Sequence, residues 1–301
     1  RCRLDRALVA RGEGAQRMLD AVAQLAGDLL GNVHRVLRDE IDSDAFRADQ
    51  ADDLFDLVFE GFGRITKSWD KMVHVDLHKE GQLRQVDALP AAQSYGEGIF
   101  FEVDEDKINA WANQTEVQMR IASIQERFQQ SDTLDSRSFH KDRIFTPSAK
   151  FMLLHTLSHL MIQRMEFVAG YPASSIREKI YCDYPGEEEN TMNGILLYTA
   201  EGDAVSSLGG LAALGKPDRF SALLAEALIA SGRCSYDPVC IDSQGQGKEG
   251  LNRAACHACA LLPETSCGYL NLFLDRALLA GSRGSPQLGF FADAILELEP
   301  A

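Results

Sequence analysis

The stretch CHACALLPETSC, residues 256–267, places three cysteines and one histidine within twelve positions of the chain. With two cysteines shortly before it, the full pattern is Cys234-x5-Cys240-x15-Cys256-x2-Cys259-x7-Cys267. A Cys-x2-Cys pair lets two thiolates bind one ion from a tight turn, and more distant cysteines close a tetrahedral site. The polar, glycine-rich segment 241–252 has little apolar surface to bury, so we expect a zinc ion to order it.

Five cysteines are available for four coordination positions. We predict that zinc is bound by Cys240, Cys256, Cys259 and Cys267, with Cys234 as an alternative ligand. Catalytic use of Cys256 with the adjacent His257 is disfavoured, because neighbouring residues seldom aim their side chains at one another. A thioredoxin-like role for CHAC is also disfavoured, since that motif normally opens a helix after a strand. Unligated thiols in a packed loop stay open as an alternative.

The composition is that of an ordinary globular protein, with 301 residues, 45% apolar and 25% charged. The most apolar window, residues 151–162, is shorter than the roughly 20 residues that span a bilayer, so no membrane association is expected. Because cations that neutralise phosphates supply most nucleic-acid affinity, a chain with a net charge of −15 is a poor candidate for binding DNA alone.

The cysteine count bears on the cellular compartment. Seven cysteines is an odd number, and no signal peptide is visible. We therefore expect a cytoplasmic protein with metal-bound or free thiolates rather than a disulfide framework. The chain begins at Arg1 without an initiator methionine, and we expect it to be a piece of a longer polypeptide.

The first part of the chain, residues 1–140, is predicted to be mostly helical. Apolar residues recur at three- and four-residue steps over 4–47, and further helices are expected at 51–66 and 104–131. Alternating runs split by glycine and proline predict a short strand segment near 71–103. A polar stretch, 129–138, is a candidate linker before the second domain.

Residues 141–301 are predicted to form an α/β zinc-binding domain, giving an α+β chain overall. Thr146 and Pro147 predict the start of a buried helix over 147–168, which Gly170 and Pro172 terminate. REKIYCDY and NGILLYTA predict two strands, and the second has the continuous apolar run of a strand buried on both faces. Helices are expected at about 208–214, 217–231 and 268–280.

His155 and His159 are spaced i, i+4, so both rings share one face of the predicted helix. The segment HTLSH has Thr156 where a zinc protease carries its general-base glutamate, which makes hydrolytic chemistry a weaker hypothesis. The alternative is a set of buried hydrogen bonds to a neighbouring element. GGLAALGKP, residues 209–217, resembles a phosphate loop, but Pro217 replaces the Ser or Thr that holds magnesium, so we expect no nucleotide or other small-molecule substrate.

Several stretches together resemble the MrfA-associated zinc-binding (MZB) domain found at or beyond the C-terminal end of certain superfamily 2 helicases. They are HTLSHLMI (155–162), GYPASSIREKIYC (170–182), GILLYTA (194–200), SLGGLAALGKP (207–217), RCSYDPVC (233–240), LNRAACHACALLPETSC (251–267) and NLFLDRALL (271–279). GFGRI (61–65) and YGEGIFFEVDE (95–105) are similar to the C-terminal part of the DrmB family, the helicase-associated subunits of the DISARM antiphage system.

The resemblance implies a non-catalytic subunit of a bacterial defence complex that acts on foreign DNA. A separate DrmA-like helicase would supply the ATPase motor, and this chain would reach DNA through the complex. The family's cysteines carry over onto Cys240, Cys256, Cys259 and Cys267, and Cys234 also matches. Two alternatives remain, namely a nuclease or hydrolase that uses His155 and His159, and a zinc-dependent DNA-binding module.

Overall fold

The structure is a computed structural model that describes residues 97–131, 147–182, 193–199 and 210–298, together with the backbone of residues 30–36. The chain divides into two compact units, one formed by 1–37 with 96–301 and the other by 38–95. All described residues belong to the first unit. The helix predicted at 51–66, the strands predicted before residue 97 and most of the candidate linker lie outside the described residues.

A four-stranded sheet forms one layer of this unit. Its strands are β1 (Leu30–Val36), β2 (Glu97–Val103), β3 (Ile176–Cys182) and β4 (Asn193–Thr199). The spatial order is β1-β2-β4-β3, and every neighbouring pair is antiparallel. β4 lies between two partners, and Ile195 pairs with Phe101 on one side and with Ile180 on the other. The predicted burial of β4 is confirmed, since most of its residues are buried.

The helical prediction is wrong for residues 30–36, which form β1. The apolar steps over 4–47 matched a helical period, but LGNVHRV also contains a glycine, which weakens a helix interior, and two valines, which favour a strand. Pairing with β2 then decides the conformation, because long-range hydrogen bonds override a weak local preference.

The central helix of the fold is α3, after α1 (Glu105–Ala112) and α2 (Thr115–Gln129) in chain order. α3 spans Ala149–Ala169 and ends at Gly170, whose φ of 71° is left-handed as predicted for a C-cap. Its N-cap is Ser148 rather than Thr146, because the Ser148 hydroxyl accepts a hydrogen bond from the Phe151 amide at 3.1 Å. Pro147 therefore precedes the helix.

The remaining helices frame α3. They are α4 (Gly210–Leu214), α5 (Pro217–Ser231), α6 (Ala277–Ala280) and α7 (Ala292–Leu298), with single 3-10 turns at Ala173–Ser175, Lys248–Gly250 and Pro286–Leu288. α3 contacts β3, β4 and α5, which leaves most of its surface buried. None of the helices in the described part of the chain combines the length and apolar character needed to span a bilayer.

Two predicted helices have different limits in the structure. The helix predicted at 104–131 is interrupted, because Gln114 adopts an extended backbone with ψ of 138°. The helix predicted at 268–280 is confined to α6. Leu270, Asn271 and Phe273 have φ values of 55°, 56° and 63°, which a right-handed helix excludes.

One apolar core joins the sheet to the helices. Ile99 and Phe101 of β2, Ile121 of α2 and Leu157 of α3 are all buried in the same cluster. The predicted combination of helices with a small sheet is confirmed. The predicted domain boundary near residue 140 stays a prediction, since residues 132–146 lie outside the described residues.

Candidate metal centre

Four cysteine sulfurs meet at the side of the core that faces α6. Cys234 Sγ lies 3.5 Å from Cys256 Sγ, Cys256 Sγ lies 3.7 Å from Cys259 Sγ, and Cys240 Sγ lies 3.8 Å from Cys259 Sγ. We call these four residues the cysteine cluster. Cys240 and Cys259 are buried, whereas Cys234 and Cys256 are partly exposed.

The spacing of the sulfurs fits a tetrahedral zinc ion. With zinc–sulfur bonds of about 2.3 Å, the edges of a regular tetrahedron are about 3.8 Å long. A disulfide would need a separation of about 2.05 Å, so the sulfurs at 3.5–3.8 Å are not bridged. Backbone amides also point at the sulfurs, with Cys256 N 3.2 Å from Cys259 Sγ and Tyr236 N 3.4 Å from Cys234 Sγ. Such N–H···S bonds stabilise thiolates.

Local hydrogen bonds shape the loops that carry the cluster. The Asp237 carboxylate accepts from the amide of Cys234 at 2.8 Å and from that of Ile241 at 3.0 Å, which folds the first cysteine pair into a turn. The amides of Cys259 and Ala260 donate to the Cys256 carbonyl oxygen at 3.0 and 2.9 Å, which folds the Cys-x2-Cys pair into a second turn. Two tight turns therefore bring the four sulfurs together.

A buried cation lies beside the cysteine cluster. Arg276, whose side chain is fully buried, forms an ion pair with Asp237 and interacts electrostatically with Cys240 and Cys259. Burial and the nearby Cys240 and Cys256 raise the pKa of the Cys259 thiol well above its usual range. Four thiolates packed this closely need positive charge, which a divalent ion and Arg276 supply together.

The structure places Cys267 outside this cluster. The predicted ligands Cys240, Cys256 and Cys259 are brought together, and the fourth sulfur beside them is the alternative ligand, Cys234. The segment that follows Cys259 crosses α3, where Gln163 Nε2 donates to the Leu261 carbonyl oxygen at 3.3 Å, and it reaches the turn after α3, where Ser266 Oγ donates to the Ala173 carbonyl oxygen at 2.7 Å. That crossing carries Cys267 away from the other sulfurs.

Comparisons with known proteins agree with this geometry. Residues 157–260 match the model of the MrfA Zn-binding domain. Residues 157–260 therefore belong to the MrfA Zn-binding domain family. The matched residues include all four members of the cysteine cluster and end before Cys267. The prediction of zinc as the cofactor is confirmed by this membership, because the family binds zinc and the cluster fits the ion.

A longer relative extends the similarity beyond the MrfA Zn-binding domain. The chain is 35% identical over 208 residues to the DISARM protein DrmB of Bacillus paralicheniformis. The alignment covers 67% of this chain and 35% of that protein, so the chain spans about a third of the length of the relative it matches.

A second group of metal-ligand side chains lies where the crossing segment meets α3 and β3. It contains His155 and His159 of α3, Glu178 of β3 and Cys267, all buried. Sequence reasoning found the two histidines but missed Glu178. The available signal was the alternation of IREKIYC, in which Glu178 shares the inward face with Ile176 and Ile180.

The electrostatics of this second group are unusual for a protein interior. Burial lowers the pKa of His155, although Glu178 opposes the shift. Burial alone would raise the pKa of Glu178, but His155 and His159 outweigh it and hold this pKa well below its usual range. Burial and the nearby Glu178 raise the pKa of Cys267 well above its usual range. Four ionisable groups thus converge where water is excluded.

The segment that resembles a phosphate loop binds a protein carboxylate instead. Glu97 of β2 accepts hydrogen bonds from the amides of Leu211 and Ala212, both at 3.0 Å, and from the Tyr171 hydroxyl at 2.8 Å. In a phosphate loop, amides in this position bind the nucleotide. In this chain, the Glu97 carboxylate therefore occupies the position that an anionic ligand takes in a phosphate loop.

Proposed function

We propose that this chain is a non-catalytic, zinc-stabilised docking subunit that works with a superfamily 2 helicase in a DISARM-type antiphage defence complex. The helicase would be DrmA-like and would supply the ATPase activity, while this chain would reach foreign DNA through the complex. The metal ligands would be Cys234, Cys240, Cys256 and Cys259, with Cys234 in place of Cys267. The free thiols favour a reducing, cytoplasmic location.

The observation that carries this proposal is the closed cysteine cluster. Structural zinc sites have four protein ligands, whereas catalytic sites keep a position open for water or substrate. Four sulfurs fill the tetrahedron in this chain, and the similarity to a DISARM protein supplies the biological setting. Zinc binding at the cluster contributes folding free energy, by apparent values of about 10–16 kcal/mol in small zinc domains.

The cysteine loop also presents apolar side chains to solvent. Tyr236 is 65% exposed and Val239 is 79% exposed, and both lie between the first two cysteines of the cluster. Because zinc fixes the backbone on either side of them, the backbone that carries these side chains is held in one conformation. We take this surface as the helicase contact, since tyrosine is among the side chains that contribute most to binding at interfaces.

A pull-down tests the docking role. The full chain, purified with its zinc, should retain its cognate helicase at micromolar concentration. The double variant Tyr236→Asp with Val239→Asp should weaken binding at least tenfold. Leu296→Asp, which changes a side chain that is 70% exposed on α7, is the matched control and should bind normally. A zinc-loaded chain that ignores the helicase at these concentrations would contradict the proposal.

DNA binding by the isolated chain distinguishes the docking role from a role as a DNA-binding module. A chain with a net charge of −15 should bind duplex DNA weakly by itself and gain DNA affinity only with the helicase present. A filter-binding titration at several salt concentrations measures both states. Tight, strongly salt-dependent binding by the isolated chain would favour a zinc-dependent DNA-binding module instead.

A further inference from the structure

The second group of buried side chains has the dimensions of a metal site. His155 Nε2 lies 3.0 Å from Glu178 Oε1 and 3.2 Å from Cys267 Sγ, and His159 Nε2 lies 3.3 Å from the same carboxylate oxygen. One ligand atom from each of the four residues lies within 4.8 Å of every other. Around a tetrahedral zinc ion, nitrogen and oxygen ligands are separated by about 3.3 Å and nitrogen and sulfur ligands by about 3.5 Å.

A hydrogen bond can join His155 to Cys267, but none among the described residues accounts for the approach of His159 to Glu178. Within the described part of the chain, neither His159 Nε2 nor Glu178 Oε1 has a hydrogen-bond partner, although both atoms are buried. His159 Nδ1 donates to the Ala260 carbonyl oxygen at 2.7 Å, which leaves the lone pair of the neutral ring on Nε2. That lone pair faces a carboxylate oxygen. Two acceptors in contact repel each other unless a cation, either a proton on the ring or a metal ion, lies between them.

The surroundings orient three of the four side chains, those of His159, Glu178 and Cys267, as an outer shell does around a metal. The bond from His159 to Ala260 fixes one ring, and the Ser158 hydroxyl donates to Glu178 Oε2, so that Oε1 stays directed at the histidines. The amides of Tyr269 and Asn271 donate to Cys267 Sγ at 3.4 and 3.3 Å. Amides directed at a sulfur favour its thiolate form, which is the form that binds metals.

We propose that His155, His159, Glu178 and Cys267 form a second, structural zinc site that cross-links α3, β3 and the segment after the cysteine cluster. The mixed set of two imidazoles, one carboxylate and one thiolate suits zinc. Two neutral rings and two anions also balance the charge of a divalent ion, so the loaded site is neutral where water is absent. Four protein ligands leave no position for substrate, which argues against hydrolysis at His155 and His159.

Metal content tests the second site, which does not depend on the cysteine cluster. The purified full chain should hold two zinc ions, and Glu178→Gln should lose one of them while Cys259→Ser loses the other. Glu97→Gln is the matched control, because it neutralises another buried carboxylate and should keep both ions. Equal zinc content in Glu178→Gln and the unmodified chain would overturn the proposal, since a purely hydrogen-bonded network tolerates this amide.

X-ray absorption on the unmodified, zinc-loaded chain covers the case in which Glu178→Gln does not fold. Two loaded sites should show five sulfur and three nitrogen or oxygen ligands shared between two ions. One ion with four sulfur ligands would overturn the second site and leave the cysteine cluster intact. One ion with one sulfur and three lighter ligands would support the second site and contradict metal binding at the cysteine cluster.

Discussion

His159 donates from Nδ1 to the carbonyl oxygen of Ala260 at 2.7 Å, and Ala260 directly follows Cys259 in the chain. This bond joins α3, in the centre of the core, to the loop that carries the cysteine cluster. Since Ala260 and the His159 side chain are both buried, water does not compete for the carbonyl oxygen. A buried hydrogen bond therefore couples the position of the cysteine loop to that of the central helix α3.

Replacing His159 tests its bond to Ala260, because Ala and Asn both lack the Nε2 ligand atom and only Asn keeps a donor. His159→Ala removes the bond to Ala260 and leaves a cavity, which should lower the free energy of unfolding by about 2–5 kcal/mol. His159→Asn keeps a donor close to the position of Nδ1 and should lose less. Hydrogen exchange of residues 256–262 measures the difference, with faster exchange expected in His159→Ala than in His159→Asn. Equal exchange in both variants would contradict the link between α3 and the loop.

The buried charge of Arg276 gives a second prediction. Arg276→Met removes the cation beside the thiolates and leaves Asp237 without its ion-pair partner, so the free energy of unfolding should fall by about 3–5 kcal/mol. Zinc affinity should fall too. Arg283→Met, at an exposed arginine, is the control and should change stability by less than about 0.5 kcal/mol. Urea denaturation of zinc-loaded protein measures both variants.

Zinc retention should depend on pH. Metal binding displaces protons from thiols, so affinity rises as pH rises and falls as pH falls. Buried thiols such as Cys259 and Cys267, whose pKa values without metal are raised, stay protonated to higher pH and so extend this dependence above the range of exposed cysteines. Zinc release, followed with a colorimetric chelator between pH 8 and pH 5, should accelerate on acidification and coincide with a fall in melting temperature. Release that does not vary with pH would contradict thiolate ligation.

Local signals predicted the central elements of the fold. α3 follows from a long apolar run between capping residues, and β4 from an apolar run of strand length. β1 was missed because its apolar steps fit a helix as well as a strand, and only the pairing with β2 distinguishes the two. The break between α1 and α2 was missed as well, since Asn113 and Gln114 carry no proline or glycine signal.

The metal ligands show a second limit of prediction from sequence, namely that spacing does not reveal which residues meet in the fold. Spacing identified five candidate cysteines, but the choice between Cys234 and Cys267 depends on where the chain runs after Cys259. Contacts across the core determine the path of this segment, and one of them is the hydrogen bond from Ser266 to Ala173. The spacing of cysteines along the sequence carries no information about such contacts. Glu178 lies on a strand far from the cysteines in sequence. Only the packing of β3 against α3 brings it to the histidines.

The turn that follows α6 offers a packing test. A Cβ atom on Gly289 would lie 2.6 Å from the Ala280 carbonyl carbon and 2.8 Å from the Leu279 carbonyl oxygen, both of which are backbone atoms. Gly289→Ala should therefore destabilise the chain by about 1–3 kcal/mol. A Cβ atom on Gly284 would meet no heavy atom of the described residues within 4 Å beyond its chain neighbours, so Gly284→Ala is the control. Thermal unfolding compares the two, and equal melting temperatures would contradict the packing.

Serine substitutions at Cys234 and Cys267 distinguish the two sulfurs that compete for the fourth position of the cysteine cluster. In cobalt-substituted protein, charge-transfer absorption grows with the number of thiolates on the ion, and a four-sulfur site gives the strongest signal. Cys234→Ser should remove one of the four sulfurs and weaken this band by about a quarter or more, because Cys234 Sγ lies 3.5 Å from Cys256 Sγ. Cys267→Ser should leave the four-sulfur component unchanged and remove only the weaker one-sulfur contribution of the second site, since Cys267 lies with His155 and Glu178. The reverse result, a loss in Cys267→Ser with Cys234→Ser unaffected, would mean that the crossing segment folds back to deliver Cys267 to the cluster when metal is bound.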